Sequence, residues 1–107
     1  MILEVAILDI KPGQEAAFER DFTIASAYIS SIDGYVSHQL QRSIETKSRY
    51  ILLARWKTLE AHTEGFRKSP QYFDYNVALG SIPTRQVNAR LSPDMDLVTA
   101  RLAVPIR

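Results

Sequence analysis

The sequence predicts an α+β domain of ferredoxin-like β-α-β-β-α-β order: a split sheet with two helices on one face, and an extra C-terminal strand or arm. Three observations lead there. Apolar spacing alternates between period two and helical three-and-four steps, in the order strand, helix, strand, strand, helix, strand. Glycine, proline and small polar residues stand where the period switches. Residues 49–56 carry apolar side chains on both faces, the mark of a strand covered on both sides.

Ile2 to Ile10 alternates, with Leu3, Val5 and Ile7 on one face and Ile2, Glu4, Ala6 and Leu8 on the other. Lys11-Pro12-Gly13 breaks it. Phe18, Phe22, Ala25, Ile29 and Ile32 then step by four, three, four and three, which predicts an amphipathic helix over about Gln14 to Ser30. Glu15 complements its N-terminus, and Asp33-Gly34 stops it. Tyr35 to Ser43 alternates again, and a polar turn through Glu45-Thr46-Lys47 leads into the strongest strand, Arg49 to Trp56.

Thr58 is placed to cap a short helix on which Leu59, His62 and Phe66 share a face. Ser69-Pro70 restarts the helix, since serine caps and proline suits the first helical position, and Gly80 ends it. Thr84 to Leu91 reads as the fourth strand, and Leu97 to Val104 as a last short one. The division is therefore a domain over 1–91 and an arm over 92–107, placed at a subunit interface because its apolar residues are unsuited to an idle terminus. Two helices cover only one sheet face. We expect the bare face to be that of Tyr50, Leu52, Ala54 and Trp56 with Ala6, Leu8, Val36 and Leu40, and a second copy to cover it.

Composition narrows the chemistry. The chain has 107 residues, 13 basic and 12 acidic side chains, and a net charge of +1, so bulk charge makes no case for nucleic acid or membrane. It contains no cysteine, which removes disulfides, thiol catalysis and thiolate metal sites. Two histidines leave a metal site dependent on carboxylates, and no metal is expected. Phosphate loops, nucleophile elbows, zinc-protease helices and calcium loops are missing from the pattern. With neither leader nor membrane-span signature at Met1 to Ile10, the expectation is a cytoplasmic protein.

The candidates for chemistry are few. His62 on the short helix after Trp56 suits a proton shuttle between helices and sheet, or a ring packed on Phe66 and bonded to a carbonyl. His38 suits a cleft, or a half-buried histidine bonded to a neighbour. Trp56, Phe66, Tyr72, Phe73 and Tyr75 form a run of rings that suits a flat ligand, with His62, Asn76 and Arg90 interleaved; the same rings suit a core. Arg49 and Arg55 suit anion steering, or snorkelling at a sheet edge.

The stretch Trp56-Lys57-Thr58-Leu59-Glu60-Ala61-His62, with Phe66-Arg67-Lys68-Ser69-Pro70 and Tyr72-Phe73, resembles the antibiotic biosynthesis monooxygenase family. With the element order and the Gly34-Tyr35 strand start, the likeness covers residues 2 to 91. It implies a dimeric α/β barrel, a homodimer or higher homo-oligomer, with a pocket between sheet and helices. It also implies cofactor-free oxygenation of a small aromatic or quinol-like molecule, in which the deprotonated substrate itself reduces oxygen. On that reading His62 accepts a proton, Asn76 or Tyr75 holds the developing oxyanion, and Trp56, Phe66, Tyr72, Arg90 and His38 line the pocket. The alternative is a non-catalytic small-molecule-binding or stress-associated dimer on the same scaffold. The family's haem-degrading branch implies an asparagine and a histidine where Ala6 and Asn76 stand here, so no cofactor is expected.

Overall fold

The computed structural model describes residues 1–95, 97 and 98. Four strands, β1 (Ile2–Ile10), β2 (Tyr35–Arg42), β3 (Arg49–Trp56) and β4 (Pro83–Leu91), form one antiparallel sheet in the order β2-β3-β1-β4. The helices α1 (Glu15–Ser30) and α2 (Pro70–Leu79) pack together across one face, and a single π-helical segment, Ala61–Phe66, joins β3 to α2. The predicted ferredoxin-like fold is the observed one. Most of the expected last strand, Leu97 to Val104, lies outside the described residues, as does most of the interface arm over 92–107.

The core sits between sheet and helices. Phe18, Phe22, Ala25 and Ile29 of α1 pack on Ala6, Leu8 and Ile10 of β1 and on Tyr50, Leu52, Ala54 and Trp56 of β3. This corrects the expectation about the bare face. The row Tyr50, Leu52, Ala54 and Trp56 lies under the helices, and Leu3, Val5, Ile7, Ile51 and Leu53 line the face that no helix covers. Size explains the choice. Two helices resting on a twisted sheet leave a deep layer that large rings fill, whereas Val, Ile and Leu make the shallower surface that suits a second sheet. Val36 is exposed, beside a register shift between Tyr35 and Ser37.

Local chemistry sets the ends. Ser69 Oγ accepts from the Tyr72 amide at 3.2 Å with Pro70 at the first helical position, and Gly80, at φ +61°, ends α2. Thr58 Oγ1 accepts from the Ala61 amide at 3.1 Å. Gly34, at φ +92°, lets the start of β2 press against that segment: a Cβ there would sit 2.6 Å from Ala61 Cβ. Gly34→Ala should cost about 1–3 kcal/mol, from a left-handed backbone and a steric overlap together. Denaturant melts measure it, and a loss under a few tenths of a kcal/mol would contradict the close approach.

Candidate functional site

The π-turn places two buried rings, His62 and Phe66. Its backbone closes through the Arg67 amide to the His62 carbonyl at 3.0 Å, a five-residue step instead of four. The wider turn brings His62 and Phe66 onto one line, rings stacked with centroids 6.3 Å apart, both turned into the core. Trp56 at the end of β3 lies against both, 5.3 Å from His62 and 5.7 Å from Phe66. Tyr72 and Tyr75 of α2 meet Phe66 edge-on at 5.1 and 5.6 Å. The structure thus gathers Trp56, His62, Phe66, Tyr72 and Tyr75 of the predicted site into one aromatic cluster.

At the centre of this cluster stands Glu4, a residue the sequence reading passed over. It is 5% exposed, on the helix-facing side of β1. Trp56 Nε1 donates to its Oε1 at 3.2 Å, and Asn88 Nδ2 donates to its Oε2 at 2.9 Å. His62 Nε2 is 3.2 Å from the same Oε2. Burial pushes the Glu4 carboxyl up, yet His62, through hydrogen bonding and charge, and the Trp56 and Asn88 donors outweigh it, and the group is held below its ordinary pKa. Glu4 is therefore a buried carboxylate among donors. The available signal was a single acid within an otherwise apolar strand face, because buried charge is rare unless it has partners.

His62 is 0% exposed. Neither ring nitrogen completes a hydrogen bond: Nε2 stands 3.2 Å from Glu4 Oε2 without bonding geometry, and Nδ1 meets no protein donor or acceptor. An imidazole with an unpartnered buried nitrogen costs about 1–3 kcal/mol, so such a group invites a functional explanation. Tyr75 is buried against Phe22, Phe66 and Tyr72, and burial, with the charge of Glu4 and the nearby Tyr72, pushes its phenol well above the usual range. At neutral pH Tyr75 is a neutral hydroxyl, fit to donate and unfit to act as a base.

Three predicted site residues lie outside the cluster. Asn76 is on the outer surface of α2, its amide donating to the Tyr72 carbonyl at 2.8 Å. His38 is half-buried and bonded within its own strand, Nδ1 to the Tyr35 hydroxyl at 2.6 Å; burial lowers its pKa. Arg90 is exposed on β4, opposite Glu4 in register and so on the same sheet face. Along β4 that face carries Gln86, Asn88 and Arg90, and none of them enters the helix-covered core. The cluster is therefore bordered by a polar rim on one side and by helices on the other.

A depression of about 250 Å³ lies on the opposite sheet face, lined by Ile7, Asp9, Arg49, Arg85 and Val87. Arg49 is paired there with Asp9 at 2.8 Å, and Arg55 of the same strand is exposed. It is remote from the buried Glu4 and His62 pair, which faces the helices. Among the described residues no three His, Asp or Glu side chains gather as a metal site, and no helix is long and apolar enough to cross a membrane.

The sequence matches the model of one protein family, Antibiotic biosynthesis monooxygenase, over residues 1–77. The chain belongs to this family. Among its relatives is the uncharacterized protein YczJ of Bacillus subtilis (strain 168), 44% identical over 79 residues, which are 74% of this chain and 83% of YczJ. A proposed antibiotic biosynthesis monooxygenase from Bordetella bronchiseptica superposes with a TM-score of 0.81 at 28% identity, covering 85% of this chain and 94% of that one. SnoaB, a cofactor-independent oxygenase from Streptomyces nogalater, superposes with a TM-score of 0.70 at 24% identity, covering 98% and 97%. At that identity SnoaB speaks for the shared fold alone.

Proposed function

We propose that this antibiotic biosynthesis monooxygenase family member is a cofactor-independent monooxygenase of a small aromatic or quinol-like metabolite, working as a homodimer in the cytoplasm. The observation that carries the reading is His62: a fully buried imidazole with a free Nδ1, set beside a carboxylate in a cage of rings. A flat phenol bound against Trp56, Phe66 and Tyr72 would give its hydroxyl proton to His62. Tyr75, held neutral, would donate to the phenolate oxygen. The electron-rich anion then reduces dioxygen directly. A quinol and O₂ yield a hydroxyquinone and water: one oxygen atom enters the ring, the other leaves as water, and the substrate supplies every electron.

On this reading Asn88 and Arg90 are the polar groups of β4 on the site's sheet face, with the exposed Arg90 placed to draw in an anionic or phenolic ring. The dimer rests on the open sheet face, where Leu3, Val5, Ile7, Ile51, Leu53 and Val87 form one apolar strip that a second copy would cover.

A second reading, a dimer that binds a small molecule without turning it over, draws on one observation: the rings around His62 pack directly on each other and leave it no exposure. Oxygen uptake separates the two. With 1,4-dihydroxynaphthalene under ¹⁸O₂, the protein should consume oxygen above a protein-free blank and release hydroxynaphthoquinone carrying one labelled atom. Plain quinone formed at the blank rate would refute the oxygenase reading, and saturable binding without uptake would establish the second.

A further inference from the structure

We infer that Glu4 is the positioning residue of this site, fixing His62 as the Nε2–H tautomer so that Nδ1 carries the lone pair that takes the substrate proton. The inference rests on the oxygenase reading for its catalytic consequence, but its structural content stands on geometry alone.

An ionised carboxylate offers only acceptors. Glu4 spends Oε1 on Trp56 and shares Oε2 between Asn88 and His62 Nε2, 2.9 and 3.2 Å away. Facing such an oxygen, Nε2 must carry its hydrogen, because a bare Nε2 would set two lone pairs against each other in a buried site. In the neutral ring the other nitrogen is then a bare acceptor. When Nδ1 takes a phenol proton the ring becomes a cation beside the Glu4 carboxylate. The proton moves from substrate oxygen to Nδ1, the O–H electron pair stays on the substrate, and the imidazolium–carboxylate pair stabilises the charges formed.

The partners of Glu4 make the claim sharp. Trp56 is a donor only, so in Glu4→Gln the amide oxygen must face the indole and the NH₂ must face Asn88 and His62. That NH₂ donates to Nε2 and forces the hydrogen onto Nδ1. Asn88, which now donates to Glu4, must turn its amide over to accept from that NH₂, and the exposed Gln86 amide, which now donates to Asn88 at 2.8 Å, turns with it. The substitution therefore reverses the tautomer with little change in volume.

Imidazole ¹⁵N chemical shifts read this directly, with His38 as an internal reference. The neutral wild-type His62 ring should carry its hydrogen at Nε2 and be bare at Nδ1, and Glu4→Gln should exchange the two. With 1,4-dihydroxynaphthalene the variant should lose about a hundredfold in kcat with KM changed less than about twofold, and Glu4→Asp should recover part of the loss. A wild-type ring protonated at Nδ1 would overturn the inference whether or not the variant folds. So would a folded Glu4→Gln protein with the wild-type tautomer. A reversed tautomer in a protein that consumes no oxygen would refute the oxygenase reading and leave the placement of Glu4 intact.

Discussion

Turnover of a quinol by His62→Ala should fall by about a hundredfold or more, the usual contribution of a positioned general base. The substitution also leaves a ring-sized hole between Trp56 and Phe66, so the loss needs a control for packing. His62→Gln supplies it: the amide fills much of the space and can still donate to Glu4, but it cannot accept a proton at neutral pH. Both variants should lose turnover to a similar degree, whereas their melting temperatures should differ, alanine lying lower. Free imidazole should restore part of the activity of the alanine variant, because the hole admits the missing group. Turnover equal to wild type in His62→Gln would remove His62 as the proton acceptor and leave Tyr75 and Glu4 to account for the chemistry. Because Tyr75 is held protonated and Glu4 is held ionised among three donors, neither is a ready substitute.

How much of this was legible beforehand depended on the range of the signal. The ends of β3 and α2 were readable because their markers are local: a polar turn before Arg49, Ser69-Pro70 before Tyr72, and Gly80 after Leu79. The direction β3 faces was not. Period two separates its residues into two sets, yet both sets are apolar, and only the bulk of Tyr50 and Trp56 hints that they belong beneath helices. The π-turn left no trace in the spacing, since His62 and Phe66 stand four apart as in any helix. Asn76 lies one step of rotation off the core: Tyr72, Tyr75 and Leu79 define the inward stripe of α2, and the residue after Tyr75 turns outward by about 100°. Glu4 shows the limit most clearly. Its meaning comes from Trp56, His62 and Asn88, which are brought to it from three other elements by strand register and by the π-turn. A short window of sequence sees only one acid in a strand.

If the proposed homodimer forms through the uncovered sheet face, Leu53→Asp should convert it to monomer at micromolar concentration while leaving the subunit folded. Leu53 stands opposite Val5 on β1 and Gln39 on β2, in the middle of the uncovered face. In an isolated subunit an aspartate there is simply hydrated. Across a twofold interface it becomes two carboxylates, one from each copy, removed from water without a counter-charge. Of the cations on that face, Arg49 is committed to Asp9, and Arg55 and Arg85 are exposed, so pairing with either adds the cost of desolvating the arginine. A penalty of about 4 kcal/mol corresponds to roughly a thousandfold weaker dissociation constant. Sedimentation velocity reads it, with Phe73→Asp as the control, since Phe73 lies 69% exposed on the outer side of α2 and its change should leave the dimer whole. The wild-type melting temperature should rise with protein concentration and that of Leu53→Asp should not, because only the former couples folding to association. A Leu53→Asp protein that stays dimeric would mean that the copies meet elsewhere. A wild-type chain that is monomeric at about 100 μM, some hundredfold above the concentrations at which ordinary dimers hold, would mean that this face meets a different partner.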